Sequence, residues 1–315
     1  MPTAATGLKD IPAAHIPPPD DAKILTLPDG RKMGYGEYGD LNGRPFIFVH
    51  GIPDCRFDCA WLDADKALAK RLGVRWIGID RPGIGLSTPD PKRTILGWPE
   101  DVQHLISHLG LDTYHIFGVS GGTAYALACA KLLPRDKLRS VGIMCGMGPP
   151  ASTKSGLSLG NRVGLAAWNW WPGAMQSIIN HSVVKKAQDP DRSQTEKMCR
   201  TQAKWAPAPD RELFQKEEMI QLLTDIWREV YRQGSAAGHA QEMKLVADDW
   251  GFPLESVTHG KVRLWYGDKD VNTPLGQGQY MADRIPGATL TVFPGKSHFT
   301  VWDHIDKALA DMLQD

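Results

Sequence analysis

Tyr114-His115-Ile116-Phe117-Gly118-Val119-Ser120-Gly121-Gly122-Thr123 decides how this chain folds. Six residues rich in β-branched and aromatic side chains read as a buried strand, and residues 123–133 read as a helix. Between them lies Gly118-Val119-Ser120-Gly121-Gly122, a G-x-S-x-G pattern in which a tight strand-to-helix turn lifts a serine hydroxyl clear of the sheet. Glycine on both sides suits such a turn, because a side chain there would collide with neighbouring backbone. The same pattern recurs at Gly156-Leu157-Ser158-Leu159-Gly160, so the pattern alone selects nothing. Context separates the two. Ser158 follows the polar run Ala151-Ser152-Thr153-Lys154-Ser155 and reads as a loop or helix-cap residue; Ser120 follows a strand and is the candidate nucleophile.

Outward from this turn, strand and helix alternate. Residues 46–49, 74–79, 114–119 and 138–144 read as strands, and 60–71, 95–109 and 123–133 as helices. Upstream, residues 23–27 and 32–36 flank Pro28-Asp29-Gly30 and read as an antiparallel hairpin at a sheet edge. From about Met147 the rhythm changes to amphipathic helices punctuated by Pro, Gly and Trp, such as 213–231 and 236–247. It returns with a strand at 261–266, a helix at 275–285, a strand at 289–293 and a last helix at 298–313. The pattern predicts an α/β fold with a mostly parallel eight-stranded sheet and helices on both faces. The expected division is a core over 23–147 and 256–315, a helical cap over 148–255, and an extended Pro-rich arm over 1–22.

Composition excludes several function classes. With Lys+Arg 36 against Asp+Glu 36 the net charge is +0, so the overall balance gives no pull toward nucleic acid or an anionic surface, though it leaves room for local basic patches. No apolar run approaches the roughly 18–20 residues of a membrane span, and the N-terminus has no apolar signal region. Cys55, Cys59, Cys129, Cys145 and Cys199 are scattered without zinc spacing and read as buried thiols in a reducing, cytoplasmic setting. The sequon at Asn180-His181-Ser182 is read as chance in that setting. No metal or cofactor site is expected, and oligomeric state leaves no signal.

Two downstream strand ends supply partners for Ser120. Tyr266-Gly267-Asp268-Lys269-Asp270 closes one strand and Pro294-Gly295-Lys296-Ser297-His298 the next. Functional groups of open parallel sheets gather at the carboxyl ends of strands, so serine, acid and histidine fall on one edge. A serine hydroxyl is a weak nucleophile until a base takes its proton, and a carboxylate must hold that imidazole in one tautomer. His298 is the candidate base; Asp270 and Asp268 compete as the acid. His104 and His108, one helical turn apart, lack the other elements of a metal site, His304 lies inside a helix, and His50 shapes a loop.

His50-Gly51-Ile52-Pro53, Asp80-Arg81-Pro82-Gly83-Ile84-Gly85-Leu86-Ser87, the Ser120 turn, Gly267-Asp268-Lys269-Asp270 with Pro274, and Ser297-His298 together resemble, in order and spacing, the motifs of the α/β-hydrolase superfamily. The resemblance runs from about Lys23 to the end. It implies that the acid stands three residues after the Gly, hence Asp270, and that the amides of Ile52 and Gly121 form an oxyanion hole. The Gly-rich loop of many lipases is absent, and Ser rather than Asp as nucleophile favours acyl transfer over epoxide or halide chemistry.

The cap stretch holds Trp168, Trp170, Trp171, Trp205, Trp227 and Trp250. Trp168, Trp170 and Trp171 are the candidates to line an apolar pocket above Ser120. The expectation is a hydrolase for a small, largely apolar carboxylic ester or lactone. Rivals on the same three residues are a proline-removing aminopeptidase, for which Glu217 and Glu218 could receive the substrate ammonium, a thioesterase and a C–C bond hydrolase. A hydrolase-like small-molecule receptor and a cofactor-free lyase or cyclase are rivals of another kind.

Overall fold

The computed structural model describes residues 23–60, 62–204 and 206–315. The expected arm over 1–22 and Trp205 lie outside the described residues. Eight strands form one sheet: β1 (Lys23–Thr26), β2 (Lys32–Gly39), β3 (Arg44–Val49), β4 (Val74–Ile79), β5 (Tyr114–Val119), β6 (Leu138–Met144), β7 (Val262–Gly267) and β8 (Thr289–Phe293). Their order is β1-β2-β4-β3-β5-β6-β7-β8. Strands β3 to β8 run parallel, while β1 and β2 form the edge hairpin and β2 meets β4 antiparallel. Every residue of β5 is buried, as a central parallel strand covered on both faces requires.

Helices α1 (Asp63–Arg71), α2 (Trp98–His108) and α3 (Thr123–Leu132) connect the first parallel strands. Leu105, Leu127 and Met281 pack with Ile47 and Ile116 in one apolar layer; Ala69, Leu309 and Met312 pack with Phe48 and Phe117 in another. Two such layers show that the sheet is covered on both sides.

Between β6 and β7 the described chain has no strand. It runs through α4 (Leu159–Trp170), α5 (Pro172–Ile179), a π-helical turn over Asn180–Val184, α6 (Lys185–Ala187), α7 (Ser193–Lys204), α8 (Ala208–Gln215), α9 (Glu217–Val230) and α10 (Ala237–Ala247). Residues 213–231, read from sequence as one helix, belong to two. Lys216 is extended (ψ 138°), and Glu217 and Glu218 open α9, where the helix dipole favours carboxylates. Trp250, Phe252, Leu254 and Val257 then pack in the core layer beside Val102 and Leu105. Helices α11 (Leu275–Ala282) and α12 (Ile305–Leu313) complete the chain.

Buried charges join the helical segment to the sheet. Arg56 Nη1 lies 2.7 Å from Asp80 Oδ2 and also pairs with Glu229 of α9, which in turn holds Arg232. Arg81 Nη1 and Nη2 donate to His50 O (2.6 Å) and Gly51 O (2.8 Å), and its guanidinium pairs with Glu242 of α10. Asp80 also accepts from Arg56 N (2.8 Å) and Leu86 N (3.0 Å). The Asp80–Ser87 motif thus fixes the loop after β4, the turn after β3 and two helices.

Candidate active site

Ser120 directly follows β5 with φ +47°, a left-handed backbone that costs a non-glycine residue about 1–3 kcal/mol. Its carbonyl accepts from Thr123 Oγ1 (2.7 Å) and Met147 N (2.9 Å), which holds the turn. A Cβ at Gly122 would stand 2.3 Å from Val49 O, and one at Gly118 would stand 2.7 Å from Ala126 Cβ. The turn after β5 and the turn after β3 are therefore in contact, and only glycine permits it.

The structure brings Asp270, not Asp268, to His298. His298 Nδ1 lies 2.8 Å from Asp270 Oδ2. Asp270 Oδ1 accepts from Asn272 N and Thr273 N, both at 2.8 Å. The Thr273 hydroxyl lies 2.9 Å from Asp270 Oδ2 and 2.7 Å from Cys145 O, with one proton for the two. Asp268 is exposed and accepts from Gly295 N (2.7 Å), closing the turn after β8.

Burial works against a charged His298, but the Asp270 carboxylate and its hydrogen bond, with Asp210 and Asp58 beyond, outweigh it and raise the imidazole above its ordinary value. Asp210 comes from α8. It is buried and accepts from Ser297 Oγ and from Phe299 N (3.3 Å), gripping the chain on both sides of His298. His50 is fully buried and pushed down to about 3, by burial first and Arg81 second. Its Nδ1 bonds Gly51 O at 2.8 Å and its Nε2 accepts from Arg81 N at 3.3 Å, so it braces the loop as the sequence suggested.

Gly51 N donates to Asp58 Oδ2 (3.0 Å), and the Ile52 side chain sits where a Cβ on Gly121 would be, at 2.6 Å. The Ile52 side chain thus packs onto Gly121, next to Ser120. Among the described residues the Ile52 amide has no hydrogen-bond acceptor.

Ser120, His298 and Ile52 line a cavity of about 310 Å³. Its walls are largely apolar, with Phe214 of α8 and Leu223, Ile226 and Trp227 of α9 facing Phe299 and Trp302. Asp54, Asp58 and Gln202 add polar groups. Burial, then the neighbouring Asp58, raises the Asp54 carboxyl well above the usual range.

Trp168, Trp170 and Trp171 do not line this cavity. Trp168 is buried against Ala240 and Met243 and lies 5.0 Å from the His239 ring, while Trp170 and Trp171 are 72% and 66% exposed. Trp250 packs in the core, so among the described tryptophans between β6 and β7 it is Trp227 that stands at the cavity. The physical reason is helix phase: Trp227 shares the apolar face of α9 with Leu223, Ile226 and Val230, whereas Trp170 and Trp171 end α4 on its outer side. Glu217 is exposed and holds Arg200 at 2.8 Å, and neither it nor Glu218 reaches the cavity. Ser158 caps α4, accepting from Asn161 N at 3.1 Å. Sequence reading missed Thr273, Asp210 and Asp54. Thr273 lies three residues beyond Asp270, a local signal available in the sequence; Asp210 has none, because its contact joins residues 87 apart.

Residues 46–312 match the model of the alpha/beta hydrolase family, and the chain belongs to that family. Over 109 residues, 32% of this chain and 31% of the relative, it is 33% identical to a probable proline iminopeptidase from Leptolyngbya boryana. The chain spans about a third of the length of the curated relatives it matches. Among solved structures it resembles a hydrolase from Pseudomonas aeruginosa PA01 (TM-score 0.68, 19% identity, 95% of this chain and 100% of that one). It also resembles the enol-lactonase from Burkholderia xenovorans LB400 (TM-score 0.64, 16% identity, 93% and 100%). At such identities these likenesses speak for the fold.

Proposed function

We propose that this chain is a serine hydrolase that cleaves a carboxylic ester or lactone of a small, largely apolar substrate through an acyl-enzyme on Ser120. The observation that carries the reading is the meeting of Ser120 and an Asp270-held His298 in one mostly apolar cavity. In this reading His298 Nε2 takes the Ser120 proton as Oγ attacks the substrate carbonyl carbon. The amides of Ile52 and Gly121 receive the developing oxyanion, a contribution of about a hundred- to a thousandfold per donor. The imidazolium returns the proton to the departing alkoxide; a water, deprotonated by the same imidazole, then releases the acid. Residues 148–255 act as the cap, with α8 and α9 selecting apolar groups through Phe214 and Trp227. The five buried thiols support a cytoplasmic setting.

The test is treatment with a fluorophosphonate, with the adduct located by mass spectrometry. Labelling at Ser120 that Ser120→Ala abolishes is the expected result. An intact fold without labelling overturns the reading. Asp54 favours a second reading, an aminopeptidase whose substrate ammonium meets this cavity carboxyl, in keeping with the iminopeptidase likeness. Prolyl-arylamide turnover exceeding p-nitrophenyl ester turnover, and lost in Asp54→Asn, would select it.

A further inference from the structure

We propose that the outer face of the α4–α5 hairpin docks on an anionic lipid surface. Leu159, Val163, Ala166 and Trp170 recur along α4 at helical spacing, and all are exposed. Trp171 and Ile178 continue the apolar surface onto α5, at 66% and 56% exposure. This stripe lies opposite the face that carries Trp168 onto α10, so the helix pair has one apolar side packed and a second one facing water. Monomeric surfaces rarely leave contiguous apolar side chains uncovered without an interaction to explain them.

The charge around the stripe names the occupant. In a chain with Asp+Glu 36 in 315 residues, positions 151–188 contain no acidic residue. They do contain Lys154, Arg162, Lys185 and Lys186, all exposed, and none of the four makes an ion pair among the described residues. Exposed tryptophan beside unpaired cations on a helix surface matches the interfacial zone of an anionic bilayer, where indole rings sit at the headgroup level and Lys/Arg meet phosphate. A second copy of the chain fits less well: a two-fold contact through this face would set the same cations against each other. The face is distinct from the cavity, and the inference stands independently of the reaction assigned there.

The test uses the full chain with sucrose-loaded phosphatidylcholine vesicles, with and without phosphatidylglycerol. The chain should sediment with the phosphatidylglycerol vesicles, about tenfold less with phosphatidylcholine alone, and less as salt shortens the Debye length from about 8 Å to 3 Å. Trp170→Ser with Trp171→Ser should reduce sedimentation about tenfold at unchanged Tm, because both side chains already face water. Lys185→Gln with Lys186→Gln should erase the preference for phosphatidylglycerol. No sedimentation of the unmodified chain, or equal sedimentation of the double-Trp variant, overturns the proposal. So does a dimer seen by light scattering that the double-Trp variant dissolves while vesicles remain unbound, which would assign the face to a second copy.

Discussion

To take a proton His298 must first be neutral, and its surroundings favour the charged form. With the imidazole raised by Asp270, then Asp210 and Asp58, hydrolysis should fall as pH drops through a midpoint above the ordinary value of about 6.5. The linked stability has the opposite sense: the His298–Asp270 attraction is fully present below about 6.5 and is lost as pH rises through the raised value. Asp210→Asn removes a carboxylate near the ring but keeps a side chain that can accept from Ser297 and Phe299. It should move the acid limb of kcat/KM to lower pH with Tm nearly unchanged; an unmoved limb would leave Asp210 a purely structural grip. Asp270→Asn should cost about 10⁴ in kcat. Asp268→Asn should leave kcat within about twofold, since it only loosens an exposed turn. Strand-end position alone left these two acids in competition, and the family resemblance favoured Asp270. What separates them is which carboxylate the β7 and β8 ends direct inward, a question of three-dimensional placement.

At the scale of elements, the turn from β5 into α3 shows how local sequence and close packing agree. Gly122→Ala adds a methyl 2.3 Å from Val49 O, a backbone atom that cannot swing away. Overpacking of this kind costs about 1–3 kcal/mol or more, so urea denaturation should report a lower midpoint. The alternation of strands and helices was legible because the central parallel strands β4 to β7 are almost wholly buried and so read as short apolar runs between the helical stretches. The helical segment was less so. The break at Lys216 lies within a continuous amphipathic pattern, and Trp170 and Trp171 point outward although their composition suggested a pocket wall. Helix phase alone states which residues share a face; it does not state which face finds a partner.

For the whole molecule, the buried ion pairs tie the helical segment to the sheet. Glu242 faces Arg81 and Arg93, whose positive charges outweigh burial and hold its carboxyl down to about 2. Its contribution to stability is therefore present above the ordinary carboxylate value of about 4.3 and disappears as pH falls toward 2. Glu242→Leu leaves the Arg81 guanidinium uncompensated in the interior and should destabilise the protein by about 3–5 kcal/mol in chemical denaturation. Because Arg56 bridges Asp80 and Glu229, sheet and helices should unfold together. Tryptophan fluorescence and far-ultraviolet circular dichroism should give one coincident transition. Two separated transitions would show that the helices open independently.

Within the G-x-S-x-G turn and the strand ends that follow it, the sequence by itself determined the α/β architecture and the candidates Ser120 and His298. Both are local matters: a turn that only glycine fits, and strands whose burial leaves a readable pattern. The family resemblance pointed to Asp270; only the tertiary structure set its carboxylate against His298, put Trp227 rather than Trp170 and Trp171 at the cavity, and gave Asp210 its grip on the histidine loop. Each depends on side chains far apart in the chain meeting at one place, and no periodicity records that meeting.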